Sequence, residues 1–324
     1  MAKVLITGAT GFVGSHTAEL FRDEGFEVIA LVRNQSRVKA LPEGVKPLVG
    51  SLFEPEKYAE TLAEIDYLVH IAGLTKARHK EDFYRVNAEG TKSLLEGALR
   101  YGGENFKRFF YLGSQAGTRP SREPIDETVP PAPLTDYGIS KMLGEKYARQ
   151  YMDKLPVSVV RAPAVYGPRD KDIYFYFRLA AKGFLPLVGN PDRRVSLIYV
   201  KDLARAIFLV TTHPAAVGEI FFATDGKPHT WREVAAEIDR AIPRRKIRVR
   251  LPGWIMWVAA FFDVTTSFVL RKAPLLYFKR VRELLGEWVA DSTKIEEKLG
   301  FAPQYDLARG VSETAEWYRQ HGWI

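Results

Sequence analysis

The sequence predicts an α/β protein, a Rossmann-type doubly wound parallel sheet with a smaller mixed α/β C-terminal lobe. Three observations carry that reading. Short apolar runs alternate with helical patterns through the first half of the chain. Gly8, Gly11 and Gly14 open the first helical pattern directly after an apolar run. Small or polar residues close the strands at Gly8 to Gly14, Arg33, Ser51, Ala72-Gly73 and Ser114, the edge where such sheets gather ligands.

The elements follow in order. Val4 to Ile6 is an apolar run stopped by Thr7 and Gly8. Val13, Ala18, Leu20 and Phe21 then recur at helical spacing, and Gly25 suits the position just past a helix end. Val28 to Val32 is a second buried-type strand, so Lys3 to Arg33 reads as a βαβ unit. Its glycines let backbone N–H groups approach a pyrophosphate, and the helix N-terminus favours that charge. The spacing is G-x-x-G-x-x-G rather than G-x-G-x-x-G, and an ordinary tight turn is the plain alternative.

Lys46 to Gly50 reads as a strand, Pro55 to Ile65 as a helix, and Asp66 to Ile71 as a strand ending at Ala72-Gly73. A helix through Phe83 to Arg100 carries Asn87 near its start, and Arg108 to Leu112 is a strand closing on Gly113-Ser114. Thr118 to Leu134, rich in proline and charge, reads as a surface loop. A helix from Asp136 to about Met152 precedes a strand at Val157 to Arg161. Asp172 to Lys182 reads as a helix, Val195 to Val200 as a strand, and Lys201 to Thr211 as a helix. Residues 1–166 are expected to form the dinucleotide-binding domain, with 195–222 returning to it and 167–324 forming mainly the substrate lobe.

The bulk numbers narrow the classes. A chain of 324 residues can bury a large core. It has no cysteine, which excludes disulfides and thiolate chemistry and fits a reducing compartment. The first strand begins at Lys3, too early for a signal peptide, so a cytoplasmic protein is expected. The net charge is +8 without a basic stripe carrying stacking aromatics, so no nucleic-acid partner is expected. The six histidines show no ligand-like spacing, and no metal is expected; His70, inside an apolar strand, reads as a satisfied core residue.

Tyr137 and Lys141 lie four residues apart on an expected helix and share a face. A free tyrosine titrates near about 10, too high for a base at neutral pH. A lysine ammonium and a positively charged nicotinamide ring would both favour the phenolate. With Ser114 at a strand end, the trio suits acid–base chemistry on an alcohol or carbonyl.

Together these pieces resemble the extended short-chain dehydrogenase/reductases, in the NAD(P)-dependent epimerase/dehydratase group and its hydroxysteroid dehydrogenase-like branch. They are Thr7-Gly8-Ala9-Thr10-Gly11-Phe12-Val13-Gly14, Val86-Asn87-Ala88-Glu89-Gly90-Thr91, Leu112-Gly113-Ser114, Tyr137 with Lys141, Arg161 to Pro168, and Tyr199 to Ala204. The resemblance implies Ser114, Tyr137 and Lys141 as catalytic residues, Asn87 beside the cofactor, and Pro163, Ala164 and Val165 along the nicotinamide. It also implies a homodimer through the Asn87 and Tyr137 helices.

NAD-preferring members of that group carry an acidic residue after the second strand. Here Arg33, Asn34 and Arg37 occupy the place, and guanidinium can bind a 2′-phosphate bidentately, so NADP(H) is expected over NAD(H). Ser51-Leu52 stands where many relatives have Asp-Leu against adenine. Gln115 and Ala116 replace the carboxylates of family dehydratases, and Ala164 stands where nucleotide-sugar enzymes usually carry an asparagine.

In the last third, Trp254 to Phe262 is an unbroken apolar run, with Trp254, Trp257, Val258, Phe261 and Phe268 near one helical face. The plain reading is a buried core helix of the substrate lobe. The sharper one is an apolar lid or interfacial helix, with peripheral membrane contact through 254–272 helped by Arg244, Arg245, Lys246, Arg248, Arg250, Arg271, Lys272, Lys279 and Arg280. The expected activity is hydride transfer to or from a secondary alcohol or ketone of a largely apolar small molecule. A nucleotide-sugar epimerase using the same three residues, and a non-catalytic NADP(H) sensor or scaffold, are the alternatives.

Overall fold

The computed structural model describes residues 1–269, 274 and 276–324. The strands, in chain order, are β1 (Lys3–Thr7), β2 (Glu27–Val32), β3 (Lys46–Val49), β4 (Tyr67–His70), β5 (Arg108–Ser114), β6 (Ser121–Ile125), β7 (Val157–Ala162) and β8 (Ala164–Tyr166). They continue as β9 (Phe184–Val188), β10 (Arg194–Val195), β11 (Leu197–Tyr199), β12 (Ile220–Phe222), β13 (His229–Thr230), β14 (Ile247–Leu251) and β15 (Trp288–Ala290). The helices are α1 (Phe12–Asp23), α2 (Ala59–Glu64), α3 (Lys80–Phe83), α4 (Gly90–Tyr101), α5 (Asp136–Gln150), α6 (Tyr174–Ala181), α7 (Val200–Thr212), α8 (Trp231–Ala241), α9 (Trp254–Val269), α10 (Phe278–Leu285), α11 (Thr293–Leu299) and α12 (Leu307–Gln320).

Seven strands form one sheet in the order β12-β7-β5-β4-β1-β2-β3, every neighbouring pair parallel. Parallel strands need crossover helices on both faces, so the central ones are covered twice and read as continuous apolar runs. Val4, Leu5, Ile6, Leu68, Val69, Phe109, Phe110 and Tyr111 are accordingly all buried. One core lies between the sheet and α1 and α7, built from Ile6, Phe21, Phe110, Leu203 and Ile207. The other lies on the opposite face, with Leu5, Leu62, Leu94, Phe109 and Tyr111. The order reverses between β1 and β4, which opens a crevice at their carboxyl ends.

A third core joins the C-terminal elements: Phe177, Leu185, Val234, Ile238, Val311 and Tyr318. Around it lie a four-stranded sheet (β13-β10-β15-β6) and two strand pairs, β11 with β8 and β14 with β9.

Several expectations are corrected. The stretch from Thr118 to Leu134 is not all loop, because β6 pairs in parallel with the distant β15, a partner that local composition does not reveal. The single strand expected at Val195 to Val200 is two, β10 and β11, which join different sheets. The helix expected from Phe83 begins earlier, at Lys80, and passes through a π-helical turn over Tyr84–Glu89.

The largest correction concerns α9. It is not a buried core helix: Trp254 is 63% exposed, Phe261 55% and Phe262 61%. The faces are reversed because Ala260 and Ser267, the small residues, pack inward. Arg271 and Lys272, read as flanking cations, and the side chain of Phe268 lie outside the described residues. No described helix is long and apolar enough to cross a membrane.

Candidate active site

The crevice begins with the glycine turn between β1 and α1. Gly8 has φ 83°, in the left-handed region that glycine alone enters freely. A Cβ there would also come within 2.7 Å of the Ala72 amide nitrogen, so the turn is pressed against the end of β4. A methyl on Gly14 would overlap the Gly8 carbonyl oxygen. Gly11 closes the turn by donating its N–H to that oxygen at 2.9 Å.

Helix α1 starts at Phe12 with no side-chain cap and no acidic residue in its first turn. By contrast α8 begins with a full capping box at Thr230 and Glu233. The amides of Phe12, Val13 and Gly14 thus remain free of side-chain acceptors at the positive end of a helix. An uncapped helix start beside a glycine-lined turn fits an anionic pyrophosphate. Thr10 lies half-buried in the same turn.

The other expected cofactor residues line neighbouring strand ends. Arg33, Asn34 and Arg37 follow β2, all exposed. The Ser51 hydroxyl accepts the Phe53 N–H at 3.2 Å, and Leu52 packs against Gly90 at the start of α4. The Ala72 N–H is donated to Thr7 Oγ1 at 3.2 Å. Asn87 is buried and uses its whole amide: Nδ2 donates to the Leu74 carbonyl and to Ser140 Oγ, each at 2.9 Å, while Oδ1 accepts the Leu74 N–H at 2.7 Å. It pins the loop after β4 to helix α5.

Helix α5 starts on a Thr135 cap, whose hydroxyl accepts the Gly138 N–H at 3.1 Å. Tyr137 and Lys141 then follow one turn apart and face the end of β5, where the Ser114 hydroxyl accepts the Ala116 N–H at 3.2 Å and lowers the pKa of the Tyr137 phenol. Lys141 is buried; its Nζ donates to the Leu112 carbonyl at 2.6 Å and stands 4.4 Å over the Tyr111 ring. Burial pushes Lys141 down to about 7, opposed only by the Glu145 carboxylate one turn on. Burial likewise raises the Tyr137 phenol above its ordinary value, with Ser114 pulling it back. The depression expected from Lys141 together with a nicotinamide ring is not seen here: burial is the largest influence on the phenol, and Lys141 Nζ is turned to the Leu112 carbonyl.

On the far side of the crevice, Pro163 is buried, Ala164 is exposed and Val165 is half-buried as the chain enters β8. Gln115, directly after Ser114, is buried, and its Nε2 has no partner among the described residues.

Three further groups hold this geometry; His70 is, as expected, a satisfied core histidine, while the roles of Arg169 and Arg161 were not foreseen. His70 Nε2 lies 3.0 Å from Thr91 Oγ1, which itself donates to the Asn87 carbonyl. Thr91 therefore accepts from Nε2–H, and Nδ1 accepts the Thr7 hydroxyl at 2.7 Å. Burial holds the ring neutral, down to about 3. Arg169 sits at φ 73° just after Gly167-Pro168, unusual for a side chain of its size, and donates to Ser15 Oγ at 3.0 Å and Glu19 at 2.7 Å on α1. Arg161 pairs bidentately with Glu145 at 2.7 and 2.9 Å, locking β7 to α5. For the other two, the Tyr-Gly-Pro-Arg stretch offered a sequence signal for Arg169, as a turn with a cation beside it.

The model of the NAD dependent epimerase/dehydratase family matches residues 4–222. The chain is 32% identical to a protein named ceramide reductase from Caulobacter vibrioides, over 99% of this chain and 96% of that one. It is 25% identical to a 3 beta-hydroxysteroid dehydrogenase/Delta 5→4-isomerase of Mycobacterium tuberculosis, over 98% and 90% of the two chains. UDP-glucose 4-epimerase of Thermotoga maritima, solved with UDP-glucose, shares the fold at a TM-score of 0.78 and 23% identity, covering 98% of this chain and 99% of that one.

Proposed function

The chain belongs to the NAD dependent epimerase/dehydratase family of extended short-chain dehydrogenase/reductase enzymes, and from that premise we propose that it is an NADP(H)-dependent reductase of a ketone on a largely apolar molecule. The observation that carries the reading is the convergence of Tyr137 and the buried Lys141, one turn apart on α5, with Ser114 at the end of β5, where Lys141 Nζ donates to the Leu112 carbonyl at 2.6 Å.

Gly8, Thr10, Gly11, Phe12, Val13 and Gly14 would hold the pyrophosphate of the dinucleotide. Arg33, Asn34 and Arg37 would take the 2′-phosphate, Ser51 and Leu52 the adenine, and Ala72, Gly73 and Lys141 the riboses, with Asn87 holding the loop beside them. Pro163, Ala164 and Val165 would flank the nicotinamide. When bound, the dinucleotide supplies the hydride. The protein supplies the proton. The Tyr137 phenol, raised by burial, is protonated at neutral pH and would donate to a carbonyl oxygen that Ser114 orients.

The apolar substrate is supported by the ceramide reductase relative. Ala164 offers no polar group where a nucleotide-sugar diphosphate needs one, and no carboxylate follows Ser114. Residues 1–166 with 195–222 would form the cofactor-binding unit, with the remainder of 167–324 closing on the substrate. On the same footing the enzyme is a cytoplasmic homodimer joined through the Asn87 and Tyr137 helices, a point sedimentation velocity tests.

Loss of NADPH absorbance with a ceramide bearing a ketone in place of its secondary hydroxyl, or with steroid ketones, tests the reaction. Tyr137→Phe should lower kcat by about a thousandfold with little change in NADPH affinity. Unchanged turnover in that variant would remove the acid role. Interconversion of UDP-sugars without net cofactor consumption would establish the epimerase instead, and NADPH binding without any turnover the sensor.

A further inference from the structure

Helix α9 presents the wrong face to water. Ala260 and Ser267 are buried, and Asp263 anchors the helix inward by accepting the Leu276 N–H at 2.6 Å and the Ser267 hydroxyl at 3.2 Å. Trp254, Trp257, Val258, Phe261 and Phe262 point outward on successive turns. Two tryptophans and two phenylalanines on one exposed stripe far exceed the scattered apolar residues of an ordinary surface.

The patch continues onto α10. Phe278, also exposed, stacks on Trp257 with ring centroids 6.1 Å apart and planes 20° from parallel. Beside it α10 exposes Lys279 and Arg282, and the segment leading into α9 exposes Arg245 and Arg250. Among the described residues no carboxylate pairs with any of these four cations. Exposed aromatics next to unpaired cations match a surface that is apolar beneath and anionic on top. A two-fold contact with a second copy would instead set the patch against itself and bring like charges together.

We propose that α9 and α10 dock this protein on an anionic phospholipid bilayer. Helix α9, of 16 residues, lies in the headgroup plane with its aromatic stripe at the acyl boundary, while Lys279 and Arg282 meet lipid phosphates. It does not span, since crossing takes about 20 apolar residues. The docking surface is coupled to the crevice through one short helix. The Glu283 carboxylate of α10 pairs with Arg280 and accepts the hydroxyl of Thr135, the cap of the helix that carries Tyr137, at 3.1 Å. Both charges act on the Tyr137 phenol. A docked molecule therefore holds the Ser114–Tyr137 end of the crevice close to the lipid surface, whichever reaction the site performs.

Co-sedimentation of the full chain with vesicles tests this without any turnover. Binding should be at least about tenfold stronger to equal mixtures of phosphatidylglycerol and phosphatidylcholine than to phosphatidylcholine alone, and should weaken with salt. Phe261→Ser with Phe262→Ser should weaken it by about tenfold or more. Lys279→Glu with Arg282→Glu should abolish the preference for anionic lipid while leaving the weaker apolar binding. NADPH binding by each variant verifies its fold. No association of the wild type with vesicles, or undiminished association of both variants, overturns the proposal. So does a Phe261/Phe262 variant that turns a dimer into a monomer with vesicle binding unchanged, which would make the patch a self-contact.

Discussion

The glycine turn at the head of α1 and the aromatic stripe of α9 solve opposite problems with the same secondary structure. At α1 the helix end is built around what must be missing: side chains at Gly8 and Gly14, and a cap on the first amides. At α9 the helix is built around what should be absent from water and is nonetheless displayed. The first region is constrained by backbone contacts on every side, so any added atom has to displace the chain. The second is constrained only along its inner edge, by Ala260, Asp263 and Ser267. Substitutions should therefore be costly for folding at the turn and nearly silent for folding on the stripe, whatever they do to function.

The contrast can be broken in order of effect. Gly14→Ala should destabilise the protein by about 3 kcal/mol and abolish NADPH binding, because its methyl overlaps the Gly8 carbonyl oxygen. Urea unfolding and a fluorescence titration measure the two losses, and a stable, NADPH-binding variant would break the steric account.

The His70 network should show itself in acid. Its folded pKa, about 3, lies below the unfolded value of about 6.5, so between them the unfolded chain binds the extra proton. That contribution is fully present above pH 6.5 and is lost as pH falls toward 3. At pH 4.5 the loss from this one group is about 2–3 kcal/mol. His70→Asn, which cannot titrate, should have a flatter stability profile between pH 7 and 4.5; an equally steep one would assign the acid sensitivity elsewhere.

A smaller effect is expected at the exposed strand end. Arg33→Ala should weaken NADPH about tenfold and leave NADH unchanged, the loss of one charge-assisted contact to a phosphate. Tighter binding of NADH than NADPH by the wild type would reverse the cofactor preference. The smallest effect belongs to α9: Phe261→Ser with Phe262→Ser should alter folding stability by no more than about 0.5 kcal/mol, as surface substitutions do. A large destabilisation there would mean that the stripe is packed in solution.

Legibility in the sequence followed the range of the forces involved. The central sheet strands were readable because they are buried on both faces and so written as continuous apolar runs, unlike the mostly exposed edge strand β3. The trio Ser114, Tyr137 and Lys141 was readable because a strand end and an i,i+4 pair are local patterns. Strand β6 was not, since its partner β15 lies far along the chain and its own residues are mostly charged or small. Nor were the contacts of His70 with Thr7 and Thr91, or of Arg169 with Ser15 and Glu19, which join residues that only the fold brings together.

The sequence by itself determined the parallel α/β core, the glycine turn and the meeting of Ser114 with the Tyr137–Lys141 pair, because these depend on local periodicity and on residues missing a side chain. Tertiary structure alone decided which way Lys141 points, that burial and not the lysine governs the Tyr137 phenol, and that α9 faces outward. Periodicity shows that a helix has an apolar face. What that face meets depends on neighbours contributed from elsewhere in the chain, and at α9 those neighbours take the small residues and leave the aromatics to the outside.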